Sequence, residues 1–218
     1  MSVWAVLVAA GRGERLGEGK PKAFARLGEL PLLAEPLRRL DESDWIDHVV
    51  VVAPPEWEEP AILLAEEVGA SKVTACVTGG ETRSDSVRAG VAEVPDEAAV
   101  IVVHDAARPL VPDEVIGRVI EALAGGFDGA VPALPVQDTV KRVDAGVVVE
   151  TLDRSELVAV QTPQAFVAPV LRAAVAGEGT DCASLVERAG GRVTVVAGDE
   201  RLLKVTTKAD LDRVAAWL

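Results

Sequence analysis

The sequence of 218 residues has only two cysteines, Cys76 and Cys182, and no asparagine. Two thiols far apart in the chain do not form the disulfide framework of a small secreted domain, and the lack of CxxC spacing argues against a zinc site. We therefore expect a reducing, cytoplasmic compartment. The lack of asparagine, together with only three glutamines and one methionine, is typical of proteins from thermophiles. A GC-rich genome would leave a similar composition.

The sequence also lacks a long hydrophobic run. Its apolar start, Val3 to Ala10, has no basic segment before it and no cleavage site after it, so we do not expect a signal peptide. No apolar stretch approaches the roughly 18 residues that a membrane helix needs. A soluble protein without a membrane partner is expected.

Positive charge is scarce, because 22 Lys and Arg stand against 35 Asp and Glu, which gives a net charge of −13. Such a surface argues against a nucleic-acid partner or an anionic membrane, so any anion must be bound by a local basic cluster. Hydrophobic residues at 49% and charged residues at 26% match a globular protein. The length favours a single domain over residues 1–218.

Short β-branched runs alternate with amphipathic stretches along most of the chain, which is typical of βαβ units. Most runs are apolar on both faces, as in buried strands of a mostly parallel sheet with helices on both faces. The predicted strands are Val3–Val8, His48–Ala53, Lys72–Val77, Ala98–His104, Gly129–Leu134, Leu157–Gln161 and Arg192–Ala197. The predicted helices are Leu32–Leu40, Glu58–Val68, Ser84–Val94, Asp113–Leu123, Val167–Ala176, Thr180–Ala189 and Lys208–Leu218.

Residue types that start and stop helices support this assignment. Ser84, Pro112 and the pair Thr180-Asp181 stand where helices should begin, and Gly69, Gly125 and Gly190 stand where helices should end.

The exception to the alternation is the segment at about 135–156, where Asp144-Ala145-Gly146 lies between two valine-rich runs. A turn of this kind between β-branched runs predicts a hairpin. With little core-facing surface of its own, the hairpin should protrude and pack against a partner. We interpret it as a dimerisation arm.

The loop after the first predicted strand holds four glycines, which let the backbone approach a ligand closely. It does not match the dinucleotide fingerprint, because Leu16 stands where glycine is needed, nor the Walker pattern, because Pro21 follows Lys20. From Ala9 to Arg26, five basic residues stand against two acidic ones, a local charge of +3. This charge favours a triphosphate site over an ordinary solvated loop.

A second polar segment, His104 to Pro109, ends the Ala98–His104 run. Ligands of open α/β sheets bind at the carboxyl ends of strands. Asp105 could therefore hold a ribose hydroxyl or a Mg²⁺ carried by phosphates, and Arg108 could bind a phosphate; alternatively, these two residues pair and tie the loop. His104 is expected to be a structural histidine, because no nucleophile or metal ligand is suitably spaced.

Two further segments carry weaker signals. The stretch from Gly79 to Ser86 could read a base edge through its backbone and Ser86, although helix capping explains Ser84 without any ligand. Lys204, in an apolar setting, either extends to solvent or meets an anion.

Six motifs, taken in order, resemble the 2-C-methyl-D-erythritol 4-phosphate cytidylyltransferase family over the whole chain: AAGRGERLG…PK, GGETRSDSV, HDAARP, QDTVKR…LDR, TPQAF and LLKVTT. The resemblance implies a Rossmann-like nucleotidyltransferase fold with a mostly parallel twisted sheet. It also implies a homodimer and transfer of CMP from CTP to methylerythritol phosphate, with Mg²⁺ as cofactor and release of pyrophosphate. Two alternatives stay open: a relative that acts on an alditol phosphate such as ribitol 5-phosphate, and an inactive nucleotide-binding regulator.

The resemblance also implies roles for individual residues. Four cations would be catalytic, two as transition-state stabilisers and two that position the acceptor: Arg15 and Lys22, then Arg154 and Lys204. The nucleotide would contact the triphosphate loop, the cytosine site and the ribose site: Ala9, Ala10, Gly11, Arg12 and Gly13; Gly80, Glu81 and Ser86; Asp105 and Ala106. The acceptor would meet Arg108, Thr139, Arg154, Thr162 and Lys204, with Thr139 and Arg154 donated by the partner's arm. Cys182 departs from the acidic residue usual in the family, and we expect it to be a packing residue.

Overall fold

A computed structural model describes residues 2–11, 19–177, 179 and 181–218. In this part of the chain the strands are β1 Val3–Val8, β2 Arg26–Leu27, β3 Leu30–Pro31, β4 His48–Ala53, β5 Val73–Thr78, β6 Val100–Asp105, β7 Gly129–Pro135, β8 Lys141–Asp144, β9 Val147–Thr151, β10 Val158–Val160, β11 Gln164–Val167 and β12 Val193–Ala197. The helices are α1 Ala34–Glu42, α2 Glu58–Glu67, α3 Arg83–Ala92, α4 Asp113–Ala122, α5 Ala168–Ala174, α6 Cys182–Arg188 and α7 Lys208–Ala215. None of these helices is long and apolar enough to cross a membrane.

A mostly parallel sheet of eight strands forms the centre of the described chain, in the order β10-β7-β11-β6-β1-β4-β5, with β12 also paired to β7. Strands β6, β1, β4 and β5 run parallel, and β12 runs parallel to β7. Strands β10 and β11 run antiparallel to their neighbours. The predicted Rossmann-like α/β architecture is confirmed.

Helices cover both faces of this sheet, as the two-sided apolar strands predict. Alternate residues of β1 show the two faces: Leu7 packs in one core with α1, α2 and α4, whereas Val6 packs in a second core with α3, α5 and α6. A smaller apolar cluster holds α7 against Leu27, Leu32 and Leu110.

All seven predicted strands lie within two residues of their predicted bounds and pair in the central sheet. The prediction for Leu157–Gln161 is wrong in one respect: β10 forms there, but all three of its residues are exposed, since it adds only to the outer end of β7. Strand β11 was not predicted. It has only four residues and runs directly into α5, so its QAFV sequence offers too short a pattern.

Two of the residues predicted to start or stop a helix are wrong. Thr82, not Ser84, caps α3, because its side chain accepts a hydrogen bond from the backbone of Asp85. The Ser84 hydroxyl instead donates to the carbonyl of Gly179 at 3.0 Å. After α4, the left-handed residue is Gly126, with φ of 81°, one position beyond the predicted stop.

The predicted hairpin is present as β8 and β9. Its turn places Ala145 at φ of 44° and Gly146 at φ of 83°, positive values of the kind that tight hairpin turns require. Every residue of both strands is exposed, including Val143, Val147 and Val148. The hairpin therefore leaves an apolar surface without cover in the single chain.

Candidate active site

A cleft of about 1060 Å³ opens at the carboxyl ends of β1, β4, β5 and β6. These four strands are parallel neighbours, so the segments that follow them converge on one edge of the sheet. The charged residues that line the cleft are Lys20, Lys22, Glu81, Arg83, Asp105 and Lys204. With four cations against two anions, the described lining is positive in a chain of net charge −13, which favours an anionic ligand.

The glycine loop begins inside this cleft. Ala9, Ala10 and Gly11 line it, and the amide of Ala9 donates to the carbonyl of Val52 at 2.8 Å. The end of β5 approaches so closely that a side chain at Gly79 would collide with the Cβ atom of Ala10. The predicted residues Arg12, Gly13 and Arg15 lie outside the described part of the chain.

Lys22 enters the cleft from a single turn of 3₁₀ helix, Lys22–Phe24. Its ammonium group donates to the carbonyl of Val205 at 3.1 Å. This contact brings Lys22 next to the segment that carries Lys204, although the two residues are far apart in sequence. Two of the predicted cations therefore reach the same cleft.

Asp105, at the end of β6, joins two cations. Its Oδ1 lies 2.9 Å from Nε of Arg83, and its Oδ2 lies 2.6 Å from Nζ of Lys204. Burial opposes ionisation of this carboxyl, but the two adjacent cations outweigh burial and hold the pKa of Asp105 well below its usual value. Of the two interpretations of Lys204, extension to solvent or contact with an anion, the structure supports contact with an anion.

The segment after β5 supplies the cleft with backbone and hydroxyl groups. Gly80, Glu81 and Ser86 all line it. Ser86 is buried, and its hydroxyl donates to the carbonyl of Thr82 at 3.0 Å. Because Thr82 and Asp85 form a capping box that fixes the first turn of α3, this segment is held in place before any ligand binds.

The chain from Val3 to Leu218 matches the family model of 2-C-methyl-D-erythritol 4-phosphate cytidylyltransferase. The chain belongs to this family. A cytidylyltransferase of that name from Nocardia farcinica is 50% identical over 213 residues, which cover 96% of this chain and 91% of the relative. A solved 4-diphosphocytidyl-2C-methyl-D-erythritol synthase superposes with a TM-score of 0.83 at 34% identity, covering 99% of this chain and 97% of that one. The solved enzyme from Thermus thermophilus gives 0.79 at 32% identity, covering 100% and 98%.

His104 lies next to Asp105 in the buried layer behind the cleft of this cytidylyltransferase fold. It is fully buried, with Nε2 3.0 Å from the carbonyl of Arg108 and Nδ1 3.2 Å from the hydroxyl of Thr162. That hydroxyl also accepts the amide of Asp105 at 3.1 Å. Burial lowers the pKa of His104 to about 4, so the ring is neutral at pH 7. The prediction of a structural histidine is confirmed.

Four of the five predicted acceptor residues do not line the cleft of the single chain. Arg108 donates from Nη1 to the carbonyl of Leu202 at 2.6 Å and forms no ion pair with Asp105, so the alternative of an Asp105–Arg108 pair is wrong. Arg154 bonds to the carbonyl of Gln137, and Thr139 precedes the exposed hairpin. Thr162, the fourth, is buried behind Asp105 and also lies outside the lining.

Sequence reasoning gave no role to Arg83 and Trp57, which both line the cleft. Arg83 belongs to the GGETRSDS motif, so the sequence places it next to a predicted site. The sequence does not show that its partner is Asp105. Trp57 gave no signal, because a tryptophan at the start of an amphipathic helix is typical of a core residue. The prediction for Cys182 is confirmed: the residue is 1% exposed, and burial raises the pKa of its thiol to about 11.

Proposed function

We propose that this chain transfers CMP from CTP to 2-C-methyl-D-erythritol 4-phosphate, forming 4-diphosphocytidyl-2-C-methyl-D-erythritol and pyrophosphate in the non-mevalonate isoprenoid pathway. The observation that carries the proposal is the cation-lined cleft at the carboxyl ends of four parallel strands, in a chain that belongs to the cytidylyltransferase family. Its volume suits a ligand of nucleotide size.

The reaction needs no nucleophile from the protein. A phosphate oxygen of the acceptor attacks the α-phosphorus of CTP, a new P–O bond forms, and the bond to the β-phosphate breaks with release of pyrophosphate. The lining residues of the described chain include no cysteine or histidine, which agrees with direct transfer. Catalysis would consist of positioning and of stabilising charge on the reacting phosphoryl group.

Each segment that lines the cleft is assigned one part of the substrates. The backbone from Ala9 to Gly11 would bind the triphosphate, and Lys22 with Arg15 would stabilise charge as the α-phosphate becomes five-coordinate. Gly80, Glu81 and Ser86 would bind cytosine. Asp105 and Ala106, at the end of β6, would bind the ribose, and Lys204 would bind the acceptor phosphate.

Mg²⁺ belongs to the proposal as a cation carried by the nucleotide. Both carboxylate oxygens of Asp105 are engaged by Arg83 and Lys204, and in the described chain no group of three His, Cys, Asp or Glu side chains is placed to hold a metal ion. These residues do not fit a protein-built metal site in which Asp105 is a ligand. Triphosphate oxygens, which Mg²⁺ prefers, would therefore hold the ion.

The protruding hairpin supports a homodimer in this proposal. Val147, Val148 and Val149 are each more than half exposed on β9, an apolar surface that favours a second copy of the chain. Arg154 and Thr139 flank this hairpin, so a partner's arm would bring them to the neighbouring cleft.

The dimer is tested by mass in solution before and after deletion of residues 141–149. We expect a dimer that becomes a monomer, and a monomer in both cases would contradict the proposal. Val148→Asp should have the same effect, while Leu63→Asp, at an equally exposed leucine on α2, should leave the mass unchanged.

The activity is tested by pyrophosphate release from CTP and Mg²⁺ with methylerythritol phosphate and with ribitol 5-phosphate in separate reactions. We expect release only with methylerythritol phosphate. Release only with ribitol 5-phosphate would replace the acceptor and keep the mechanism. No release with either acceptor, while CTP still binds, would support the inactive nucleotide-binding regulator.

A further inference from the structure

A tryptophan that the proposed reaction does not use lines the cleft beside Lys22. Trp57 stands at the start of α2, and its ring centroid lies 4.5 Å from that of Phe24, with the planes tilted by 42°. We propose that Trp57 is a positioning residue, which acts through Phe24 to hold the turn that places the Lys22 ammonium group. This inference rests on the role proposed for Lys22.

The turn that carries Lys22 is too short to hold itself. It has three residues, Lys22 to Phe24, and one turn of 3₁₀ helix has poor hydrogen-bond geometry. On one side the backbone of the turn is fixed, because the amide of Leu33 donates to the carbonyl of Ala23 at 2.8 Å and that of Leu32 to Ala25 at 2.8 Å. On the cleft side the side chain of Phe24 packs on Trp57, and the Lys22 ammonium group donates to the carbonyl of Val205 at 3.1 Å.

The backbone presents Trp57 to this turn in a defined way. After β4, the amide of Trp57 donates to the carbonyl of Pro54 at 3.0 Å, which closes a turn. Glu56 in this turn has φ of 68°, a left-handed conformation uncommon for a residue other than glycine. The carbonyl of Trp57 then accepts the amide of Ala61 at 3.0 Å and starts α2. The backbone of Trp57 is thus fixed between the turn after β4 and the start of α2, and its ring packs on Phe24 from this position.

Support of Lys22 has consequences for the rate rather than for nucleotide binding. A cation that stabilises the transition state must be in place before the reaction, and a displacement of about 1 Å can lower a rate on the order of 100-fold. Loss of the Trp57 ring would release Phe24 toward the cleft, and Lys22 would move with it. The nucleotide sites after β5 and β6 belong to other segments and would keep their geometry.

The first test compares kcat and KM for CTP in Trp57→Ala, Trp57→Phe and wild type. We expect Trp57→Ala to lower kcat by about tenfold or more while KM for CTP changes by less than about threefold, as for an interaction made in the transition state. Trp57→Phe keeps a ring against Phe24 and should recover most of kcat. Trp57→Leu, which keeps bulk without the ring, replaces Trp57→Ala if that variant does not fold.

Trp45→Ala is the matched control, because Trp45 and Trp57 are both partly buried and pack against the same core cluster, yet Trp45 does not line the cleft. It should lower stability and leave kcat unchanged. A rise in KM for CTP in Trp57→Ala with kcat unchanged would show that Trp57 contacts the nucleotide instead, and would overturn the proposal.

The second test is a double-mutant cycle with Lys22→Ala. If Trp57 acts through Lys22, the Trp57→Ala change should lower kcat much less in the Lys22→Ala background than in wild type. Equal losses in both backgrounds would overturn this inference. The wild-type reaction tests the proposed function separately. Absence of turnover with either acceptor would overturn both the proposed function and the role of Trp57. Turnover in wild type, together with equal effects of Trp57→Ala on kcat in the two backgrounds, would overturn the role of Trp57 alone.

Discussion

Replacing Asp105 with asparagine removes a negative charge that lies between two cations. The carboxylate side chain is 9% exposed, with Arg83 at 2.9 Å and Lys204 at 2.6 Å. Breaking a buried ion pair by removal of one partner costs roughly 3–5 kcal/mol. Because the side chains of Arg83 and Lys204 are 25% and 39% exposed and can reach water, we lower the expected loss to about 2–3 kcal/mol.

Urea unfolding followed by tryptophan fluorescence measures this loss. In a chain of this size, about 2–3 kcal/mol corresponds to roughly 4–12 °C in Tm, so a thermal scan gives a second measurement. Asp212→Asn is the control: the same substitution breaks a contact of 3.4 Å to Lys208, but Asp212 is 65% exposed, and such pairs contribute about 0–1 kcal/mol. Equal losses in the two variants would refute the reasoning.

The loss should also depend on pH. Burial raises the pKa of Asp105, but Arg83 and Lys204 lower it further, so the folded-state value lies well below that of the unfolded chain. The charged carboxylate therefore stabilises the fold at every pH above the unfolded value of about 3.9. This contribution is lost as the pH falls from there toward the folded-state pKa. The difference between wild type and Asp105→Asn should be full at pH 7 and should shrink below pH 4.

Three further outcomes are expected. Lys22→Ala should lower kcat by on the order of 100-fold while circular dichroism shows a folded protein, and wild-type turnover would contradict its role. His104 has a folded-state pKa of about 4 against 6.5, so the free energy of unfolding should fall by about 3 kcal/mol as the pH drops from 6.5 to 4. Urea titrations should show this loss reduced in His104→Gln and retained in His48→Gln. Arg154→Ala should raise KM for the acceptor more than for CTP, and equal increases would argue against separate subsites.

Most of the sheet and its helices could be predicted, because buried parallel strands leave a strong pattern in the sequence. Val3–Val8 and His48–Ala53 coincide with their predicted bounds, since both are apolar runs that end at a glycine loop or a proline turn. The prediction missed β11, where the sheet turns antiparallel, although it placed β10 within one residue of its bounds. Strands β10 and β11 are short, and only their pairing with β7 and β6 makes them strands.

The position of the site could also be predicted, because segments that follow parallel strands meet at one edge of the sheet. Lys22, Gly80, Asp105 and Lys204 all reach the same cleft. What could not be predicted is which side chains contact each other. Trp57 and Phe24 are distant in sequence and lie on opposite sides of β2, β3, α1 and β4 in chain order, so the 4.5 Å contact of their rings leaves no pattern in the sequence.

Arg83 and Arg108 both lie near Asp105, but only Arg83 forms an ion pair with it. Arg108 is three residues from Asp105, but its amide donates back to the Asp105 carbonyl at 2.9 Å, and this tight turn leads the guanidinium away to Leu202. Arg83 reaches Asp105 from the first turn of α3 because β6, β1, β4 and β5 lie side by side. Because an ammonium group has three N–H donors, Lys204 can bind a substrate phosphate while it keeps its contact of 2.6 Å with Asp105, and Arg83 is the second cation that balances this buried carboxylate.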